Sequence, residues 1–393
     1  MYPRIVFPGT VSIMAWFPQK IPSLTELDRA VASRYIRHIM NTDCTPNPRQ
    51  WFLIILIVIL CTPWYACAED NTPRRTSTMT LYLENDTFFD TDEQYTHGIK
   101  LSWVSSDLSD YRNNPLIPAW SYPLIERLPF VNEPGYQRCV SFSLGQNIYT
   151  PEDKERSDLI TNDRPYAGIT YLAVGFHSKN DRQMDTLELD VGIVGRHSYA
   201  EDCQKIVHRW ITATDPKGWE HQLHDEPVLN VFFERKWRVL QVKFDGDLGL
   251  DVIPHIGCGA GNAFTGANAG GQIRFGWNLP NDFGTFLIRP GSDSNAPMDS
   301  NDPRFFRPLH RLGVHLFCAV DGNAVARNIL LDGNTFRDSH SVEKEHFVAN
   351  FVGGIGIIVH RFKITYSHVF RTKEFKLQKH GQHYGAISLS YTF

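Results

Sequence analysis

The sequence predicts an all-β fold, a transmembrane antiparallel β-barrel of the outer-membrane type with about 12 strands. Two observations predict it: many segments alternate apolar and polar residues, and the chain ends on such a segment, with Phe393 as its last residue. Alternation with a period of two gives each strand one apolar and one polar face. In a bilayer, a closed barrel satisfies every backbone polar group that an open sheet would leave unpaired.

The N-terminal part of the chain predicts export rather than a folded domain. Residues 1–68 are interpreted as an N-terminal extension and a signal peptide, because a basic Arg49 precedes an apolar core at 51–60 and small residues follow it. A membrane anchor is the alternative, but that core is shorter than the roughly 20 residues that span a bilayer. We expect translation to start at Met40 and the mature barrel to occupy residues 69–393.

The composition is that of an ordinary folded protein. Hydrophobic residues make up 42% and charged residues 21% of the 393 residues, and the formal net charge is -4. Such a balance creates no field strong enough to attract nucleic acid, so we expect no nucleic-acid partner. No run of 18 apolar residues follows Glu69, so the mature chain is predicted to lack a transmembrane helix.

Twelve alternating segments follow one another along the mature chain. They are, in order, STMTLYLE, HGIKLSWV, CVSFSLGQNI, AGITYLAVGF, DTLELDVGIV, VLNVFFERKW, VKFDGDLGLDVIP, AGGQIRFGWN, RLGVHLFCAV, HFVANFVGGIGIIV, FKITYSHVF and HYGAISLSYTF. In the last, apolar residues at every second position up to Phe393 alternate with Ser388, Ser390 and Thr392. This pattern predicts apolar side chains toward lipid and polar ones toward the lumen.

An even number of strands brings both termini to the periplasmic side, so the loop after each odd-numbered strand is predicted to face outward. Asn85 and Asp86 then lie at the outer end of strand one, and Thr96 at the outer start of strand two. The loops 148–166 and 196–226 are also predicted to lie outside.

The segment between predicted strands eight and nine fits this scheme poorly. Its sequence, LPNDFGTFLIRPGSDSNAPMDSNDPRFF, has the Gly, Pro, Asn and Asp content of a loop. It would connect strands on the periplasmic side, where short turns are usual.

Several polar residues near the predicted outer rim are candidates for metal binding or catalysis. Asn85 and Asp86 offer oxygen ligands to a hard cation such as Ca²⁺, although an Asn/Asp turn explains the same pair. Gln204 and His208 are four residues apart, so on a short helix they share one face. A neutral imidazole can accept a proton from water, which makes His208 a general-base candidate; a surface histidine, one of 16 in the chain, is the alternative.

Other common catalytic patterns are missing from the sequence. There is no GxSxG elbow, and Ser141 and Ser143 alternate in a strand without a neighbouring acid or base in sequence. A phosphate-binding GxxxxGK[ST] loop is also absent, and the glycines at 257–271 match no nucleotide fingerprint.

Six sequence blocks resemble the outer-membrane lipid A deacylase family, whose characterised member is the lipid A 3'-O-deacylase. The blocks are, in chain order, ENDTFF with TDEQYTHG, GQNIYTPED, DRPYAG, HRW with GWEHQLHDEP, NLPNDFG, and ILLDGNTF. The resemblance covers nearly all of the mature chain. It implies a twelve-stranded barrel whose site opens sideways toward the outer leaflet. It also implies Ca²⁺-dependent hydrolysis of an ester-linked 3'-acyloxyacyl chain of lipid A in lipopolysaccharide, in the outer membrane of a Gram-negative bacterium.

The resemblance also implies which residues form the site. Asn85 and Asp86 match the family's Asn-Asp pair, Thr96 matches its Thr, and Gln204 and His208 match its Gln-xxx-His segment. In this interpretation His208 deprotonates a water molecule that attacks the ester, and Ca²⁺ held near Asn85 and Asp86 stabilises the oxyanion. The acyl chain would lie along the apolar outside of the barrel, and the sugar phosphates would meet basic loop residues.

The chain departs from the family pattern at two places. The loop after IYTP is shorter, so the family's basic residue corresponds to Lys154, with Arg156 as the alternative. Beyond His208, acidic and tyrosyl positions of the family fall on Thr214 and Pro216, so part of its polar network is missing.

Two other functions remain open from the sequence. One is an outer-membrane phospholipase, which would also hydrolyse acyl esters at the membrane surface. The other is a non-catalytic barrel, either a narrow channel or a surface-exposed binding protein. The expected partners are lipopolysaccharide and outer-membrane lipids, and we expect a monomer.

Overall fold

The computed structural model describes residues 76–86, 94–108, 110–113, 117–129, 134–211, 215–285, 287–299, 301–305 and 312–393. The predicted signal peptide, residues 1–68, lies outside this part of the chain. None of the helices in the described ranges has the length and apolar character needed to cross a membrane.

The described chain forms one antiparallel sheet that closes on itself. Its strands are β1 (Thr78–Asn85), β2 (Gln94–Val104), β3 (Gln137–Thr150), β4 (Ala167–Lys179), β5 (Gln183–Val194), β6 (Glu226–Trp237), β7 (Leu240–Lys243), β8 (Leu248–Gly261), β9 (Phe264–Trp277), β10 (Leu312–Asn328), β11 (Phe347–Val359), β12 (Phe362–Arg371) and β13 (Gln382–Thr392). The first and last strands pair, and β6 pairs with β8 to complete the ring.

These thirteen segments make a wall of twelve strands, which confirms the predicted fold. The short β7 follows β6 after two residues, and both pair with different parts of β8, so together they form one wall strand. A tight turn, with Gly246 and Asp247 at positive φ, then leads into β8. The seventh predicted segment, VKFDGDLGLDVIP, was therefore wrong in its boundary, because Val242 and Lys243 end the preceding wall strand.

Each strand turns alternate side chains outward and inward, as the sequence predicts. In the last strand Ser388, Ser390 and Thr392 are almost fully buried in the lumen, whereas Phe393 is 45% exposed. Apolar residues are exposed on the outer wall in most strands, for example Leu172 and Leu316. This apolar outer surface is what contact with lipid requires.

Three α-helices accompany the sheet within the described ranges. They are α1 (Tyr122–Ile125), α2 (Ala200–Ile211) and α3 (Ile329–Asp332). Helices α2 and α3 follow β5 and β10, at the barrel end where β1 finishes; we call this the site end. Helix α1 lies between β2 and β3, at the opposite end, which also carries both ends of the barrel sequence and is called the terminus end.

The described residues between 278 and 305 lie in the lumen instead of forming a surface turn, and we call them the plug. Its polar groups bind inward-facing side chains from strands all around the wall. The Asp293 carboxylate lies 3.0 Å from Nζ of Lys100 on β2, and Asn295 donates to Ser390 on β13 at 2.8 Å. The poor fit of this segment to a short periplasmic turn is thus explained, because its Asp, Asn and Ser side chains satisfy a polar lumen.

The most buried contact of the plug is a carboxylate surrounded by three cations. Asp282 accepts hydrogen bonds from Lys363 at 2.6 Å, Arg304 at 3.0 Å and Arg274 at 2.5 Å, and all four side chains are at most 1% exposed. Charges at this depth are stable only when paired and hydrogen bonded. This cluster therefore fixes the plug to β9 and β12.

Candidate functional site

The predicted residues of the first hairpin lie at the site end of the wall, and Asn85 is on its outer side. Asn85 is the last residue of β1 and is paired with His97 of β2. Glu84, its neighbour, is buried toward the lumen, so Asn85 points outward. The Asn85 Nδ2 atom lies 3.5 Å from Nδ1 of His97, and Asp86 follows directly, fully buried.

A β-bulge places Thr96 beside these groups. Tyr95 is paired with Tyr149 and His97 with Ile148, which leaves Thr96 as an extra residue in β2. Tyr95 points into the lumen, where its hydroxyl donates to Glu84 at 2.8 Å. A bulge turns two consecutive residues to one side of a sheet. Thr96 and His97 therefore both face the outer side, next to Asn85.

A residue of the neighbouring strand β3 fixes the position of the Thr96 hydroxyl. Its Oγ1 lies 2.7 Å from Oγ1 of Thr150, the last residue of β3. Thr150 is fully buried and Thr96 is 3% exposed. Gln94, which is paired with Thr150, donates to Asp163 at 3.2 Å and so links β2 to the connection between β3 and β4. The sequence offered no signal for Thr150 beyond its position at a strand end.

Helix α2 carries Gln204 and His208 on the face that packs against the wall. Ala200, Gln204 and His208, each four residues apart, form one stripe in which no side chain is more than 2% exposed. The helix packs on β3 and β4. A Cβ atom added to Gly168 of β4 would lie 2.0 Å from Cβ of Ala200, so the helix approaches the wall where a side chain is missing.

Trp219, in the connection that follows α2, fixes Gln204. The indole Nε1 donates to Oε1 of Gln204 at 2.8 Å, and Trp219 is itself 2% exposed. Its ring packs on Tyr166 at a centroid distance of 5.1 Å, in a cluster with Ile148 of β3 and Ala200. Within the described residues, Nε2 of Gln204 has no hydrogen-bond partner. The GWEHQLHDEP block contained Trp219, but the sequence alone gave it no role.

The basic candidates lie in the connection between β3 and β4. The Lys154 carbonyl accepts a hydrogen bond from the Lys217 amide at 2.9 Å, which ties this connection to the segment after α2. Lys154 is half-buried. Arg156 is exposed and pairs with Asp158, and its hydrogen bonds lower the pKa of Asp158 to about 2. Thr214 lies outside the described residues, whereas Pro216 is buried.

A cluster of aromatic and charged side chains supports the bulge from the lumen. The Tyr95 ring lies 5.0 Å from that of Tyr149 and 5.1 Å from that of Tyr384. Arg371 donates to the Tyr384 hydroxyl at 2.8 Å and stacks over Tyr95. Glu84, which holds the Tyr95 hydroxyl, also accepts the plug amide of Ile288 at 2.5 Å, so the plug contacts the residues that set the bulge.

Arg371 and Arg164 also neutralise Glu374, in the connection between β12 and β13. Arg164 donates to this carboxylate at 3.0 Å, and Arg371 lies 3.5 Å from it. Burial would raise the pKa of Glu374, but the two guanidinium groups outweigh it and lower that pKa below its ordinary value.

Exposed apolar side chains cover the outer wall between the site and the terminus end. On the terminus-end side of the site, beyond the outward polar side chains of Gln146 and Thr170, the wall carries exposed apolar side chains, namely Ile99, Leu101, Leu144 and Leu172. A hydrocarbon chain can lie along this surface while a polar group meets Asn85 above it. The site thus adjoins an apolar surface that faces away from the lumen.

A cavity of about 240 Å³ occupies the lumen at the site end. The plug residues from Leu287 to Pro290 form part of its lining, together with amide side chains from several strands. Because Asn85 and α2 are on the other side of the wall, this cavity is a separate feature and not the predicted site.

The donor set at the end of β1 fits a hard cation. Asn85 and Asp86 provide an amide and a buried carboxylate oxygen, the ligand types that Ca²⁺ takes in proteins. Within the described ranges no group of three or more His, Cys, Asp or Glu side chains is arranged to hold a metal. The acidic residues at 90, 92 and 93 lie outside those ranges.

The structure therefore brings the sequence candidates to one sector of the barrel, in two groups. Asn85, Asp86 and Thr96 lie at the rim of β1 and β2. Gln204 and His208 lie on α2, which covers the adjoining β3 and β4.

Comparisons with known proteins identify a family and structures with similar folds. The sequence model of the family described as "Outer membrane protein LpxR" matches residues 52–393. Among solved structures, LpxR from Salmonella typhimurium is 18% identical with a TM-score of 0.61, and the alignment covers 80% of this chain and 100% of that one. The β domain of the Bordetella autotransporter BrkA, at 7% identity and a TM-score of 0.38, covers 81% and 99%. No curated protein matches. Since the family match extends over most of the sequence, the chain belongs to the LpxR family of outer membrane proteins.

Proposed function

We propose that the protein is a lipid A 3'-O-deacylase, a Ca²⁺-dependent hydrolase that removes the ester-linked 3'-acyloxyacyl chain of lipid A from lipopolysaccharide in the outer leaflet. The observation that supports this most is the position of His208. It is buried on α2, against the outer side of the wall, in the sector that carries Asn85 and Thr96. A site on that side is accessible to a membrane lipid without passage through the lumen.

In the proposed reaction His208 is the general base. Its imidazole takes a proton from a water molecule, the water oxygen bonds to the ester carbonyl carbon, and the bond to the sugar oxygen breaks. The proton on His208 then passes to that leaving oxygen. The products are a free acyloxyacyl acid and a lipid A hydroxyl group.

The other residues of the proposed site bind Ca²⁺ and orient the lipid substrate. When bound at Asn85 and Asp86, Ca²⁺ would offset the negative charge that develops on the carbonyl oxygen. The Gln204 amide nitrogen, which has no partner among the described residues, would donate to a substrate oxygen. Lys154 supplies positive charge for a sugar phosphate, and its half-buried position favours it over the exposed, carboxylate-paired Arg156.

The first test is mass spectrometry of lipid A after incubation of the purified barrel with lipopolysaccharide, with Ca²⁺ or with chelator. We expect loss of one acyloxyacyl unit with Ca²⁺ only. His208→Ala should lower the rate by about 10²- to 10⁴-fold, the usual contribution of a general base. The control is His224→Ala, an exposed histidine in the connection after α2. Full activity of His208→Ala would contradict the mechanism.

The same samples distinguish the two alternatives. Fatty acid released from phospholipid, with lipid A unchanged, would favour a phospholipase. Unchanged lipids of both kinds would favour a non-catalytic barrel. A channel is disfavoured by the plug, which binds side chains of β2, β4, β6, β9 and β12 and so contacts all sides of the lumen.

The metal is tested apart from turnover. We expect Ca²⁺ to bind the barrel in a calorimetric titration and Asp86→Asn to weaken that binding at least tenfold, because a carboxylate ligand loses its charge. Asp245→Asn, in the exposed turn before β8, is the control. Equal Ca²⁺ affinity of parent and Asp86→Asn would exclude Asp86 as a ligand.

A further inference from the structure

The connection between β2 and β3, at the terminus end, packs on the outer side of the wall. Leu108, Tyr111 and Ile125 of this connection form a buried apolar cluster with Val140 of β3. In the same strand Ser143 donates to the plug at 3.0 Å, so the odd-numbered residues of β3 point into the lumen. Because side chains alternate along a strand, Val140 points outward, and the connection covers the wall from that side.

Outward residues of four strands contact this connection. The Tyr111 ring lies 5.6 Å from that of Phe176 on β4, and the Tyr111 hydroxyl donates to the backbone carbonyl of His177 at 3.1 Å. Further partly buried side chains of the wall pack against the same cluster, namely Trp103, Phe142, Val174 and Leu187. The connection therefore covers the outer wall of β2 to β5 near the terminus end.

This cover shortens the exposed apolar wall in the sector that carries the site. On β4, Leu172 is exposed, but Val174 on its terminus-end side packs against the connection. On its other side, the Thr170 hydroxyl donates to the Ser198 carbonyl, just before α2, at 2.7 Å. A longer run of exposed apolar side chains lies on β10, at Leu312, Val314, Leu316 and Val320. A membrane that contacts β10 over this length therefore meets the connection, and not the wall, near the terminus end of β4.

The connection exposes two large apolar side chains. Trp120 is 75% exposed and Leu124 is 58% exposed, whereas Ile125, next to Leu124 on α1, is buried in the cluster on the wall. Tryptophan is enriched where acyl chains meet head groups, because its ring is apolar and its N–H is a hydrogen-bond donor. The two exposed residues are therefore suited to a membrane surface.

The charges of the connection indicate which part of a lipid it contacts. Residues 105–136 contain four acidic and two basic residues. Arg112 and Glu126, both exposed, pair with each other. A segment that binds anionic head groups carries a cluster of Lys and Arg, which this connection lacks. Apolar contact, and not charge, is thus the interaction that can hold it at a membrane.

We propose that the connection between β2 and β3 lies in the membrane boundary at the terminus end and immerses Trp120 and Leu124 among the acyl chains of phospholipids. In the predicted orientation this end faces the periplasm, so the contact is with the leaflet opposite the one that holds the substrate. Helix α2 and this connection then cover the two ends of one sector of the wall. The contact does not depend on the proposed deacylation.

Quenching of tryptophan fluorescence tests the proposal in the barrel reconstituted into phosphatidylcholine vesicles. A part of the lipid carries bromine on the acyl chains close to the head group, and bromine quenches only the rings that it reaches. Subtraction of the Trp120→Phe spectrum from the parent spectrum isolates the emission of Trp120. We expect bromine to remove a large part of this emission and iodide in the water to remove little.

Trp277 provides the matched reference for a tryptophan on the lipid-facing wall. It is the exposed last residue of β9, at the same barrel end, and Trp277→Phe isolates its emission in the same way. We expect bromine to quench Trp120 and Trp277 by the same fraction. Emission of Trp120 that iodide alone quenches would overturn the proposal. Emission that neither quencher reaches would also overturn it, because another part of a protein would then cover the residue.

A second variant tests the role of Leu124. Leu124→Asp places a charge among the acyl chains, so we expect bromine quenching of Trp120 to fall and iodide quenching to rise, each measured by the same subtraction. Leu124→Ala adds no charge and should quench as the parent does. Because Leu124 is exposed, the barrel should tolerate both changes. Bromine quenching that is unchanged in Leu124→Asp would overturn the immersion of Leu124.

Discussion

At the scale of single residues, the candidate site depends on partners that hold its side chains in place. The Thr96 hydroxyl faces outward only because the bulge adds a residue to β2, and Thr150 fixes that hydroxyl at 2.7 Å. Gln204 is oriented by Trp219 in the same manner. These partners come from other strands and connections, so their roles are visible only in the folded chain.

Replacement of Thr150 by valine tests the first of these contacts. Thr150→Val leaves the buried Thr96 hydroxyl without this partner, at a cost of about 1–3 kcal/mol. We expect deacylation to fall about tenfold, and Thr150→Ser, which keeps the hydroxyl, to restore it. Thermal unfolding measures the loss of stability, and initial rates of deacylation measure the loss of activity. A Thr150→Val protein as active as the parent would show that Thr96 needs no support from β3.

The lowered pKa of Glu374 predicts that the stability of the folded protein depends on pH. Because its pKa is lowered in the folded state, its contribution is complete above the unfolded-state pKa of about 4.3 and is lost as the pH falls through the folded-state value. Glu374→Gln should therefore lower Tm at pH 7, and the difference from the parent should vanish in strong acid. Exposed Glu343→Gln serves as the control. A Tm difference that stays constant with pH would argue against this pairing.

At the scale of elements, the central feature is a helix packed on the outside of a barrel wall. Helix α2 has acidic residues in its first turn and basic residues in its last, which suits the helix dipole, and its wall-facing stripe begins at Ala200. The contact with Gly168 sets how close the helix can come. A single methyl group at that position is enough to move it.

Gly168→Ala is expected to displace α2 and lower the deacylation rate about 100-fold, as small misplacements of catalytic groups do. Ala200→Gly in the same chain removes the nearer of two opposing atoms and leaves Oγ of Ser198, which lies 2.5 Å from the added Cβ, so it should recover part of the activity. Gly353→Ala, on β11, is the control, because an added Cβ there meets nothing within 4 Å. Circular dichroism checks the fold. Normal activity of Gly168→Ala would mean that the helix position is not critical.

At the scale of the whole molecule, the wall and the plug form one polar interior. Asp282 binds three buried cations at once, so its neutralisation in Asp282→Asn should destabilise the protein by about 3–5 kcal/mol and loosen the plug. We expect a lower Tm and ion conductance in planar bilayers, absent from the parent. Asp245→Asn, exposed at the same barrel end, should behave as the parent. An unchanged, non-conducting Asp282→Asn barrel would show that other contacts hold the plug.

The sequence predicted the wall well because lipid and lumen impose a period of two on every strand. It also predicted that Asn85, Asp86 and Thr96 meet, since strand direction alone brings them to one rim. It did not predict the plug, because Asp282 and Lys363 are 81 residues apart and a segment rich in Gly, Pro and Asn reads as a loop. The sequence also did not predict the bulge at Thr96, since one extra residue hardly changes an alternating pattern of apolar and polar residues.

The location of the site on the outer wall has a kinetic consequence. A lipid that reaches Asn85 and α2 travels within one leaflet, and the filled lumen offers no exchange with the other side. In the proposed reaction, substrate and both products then share a two-dimensional pool, in which encounter frequency depends on surface density. Turnover in mixed micelles should accordingly follow the mole fraction of lipopolysaccharide and show surface dilution by added detergent at constant bulk concentration.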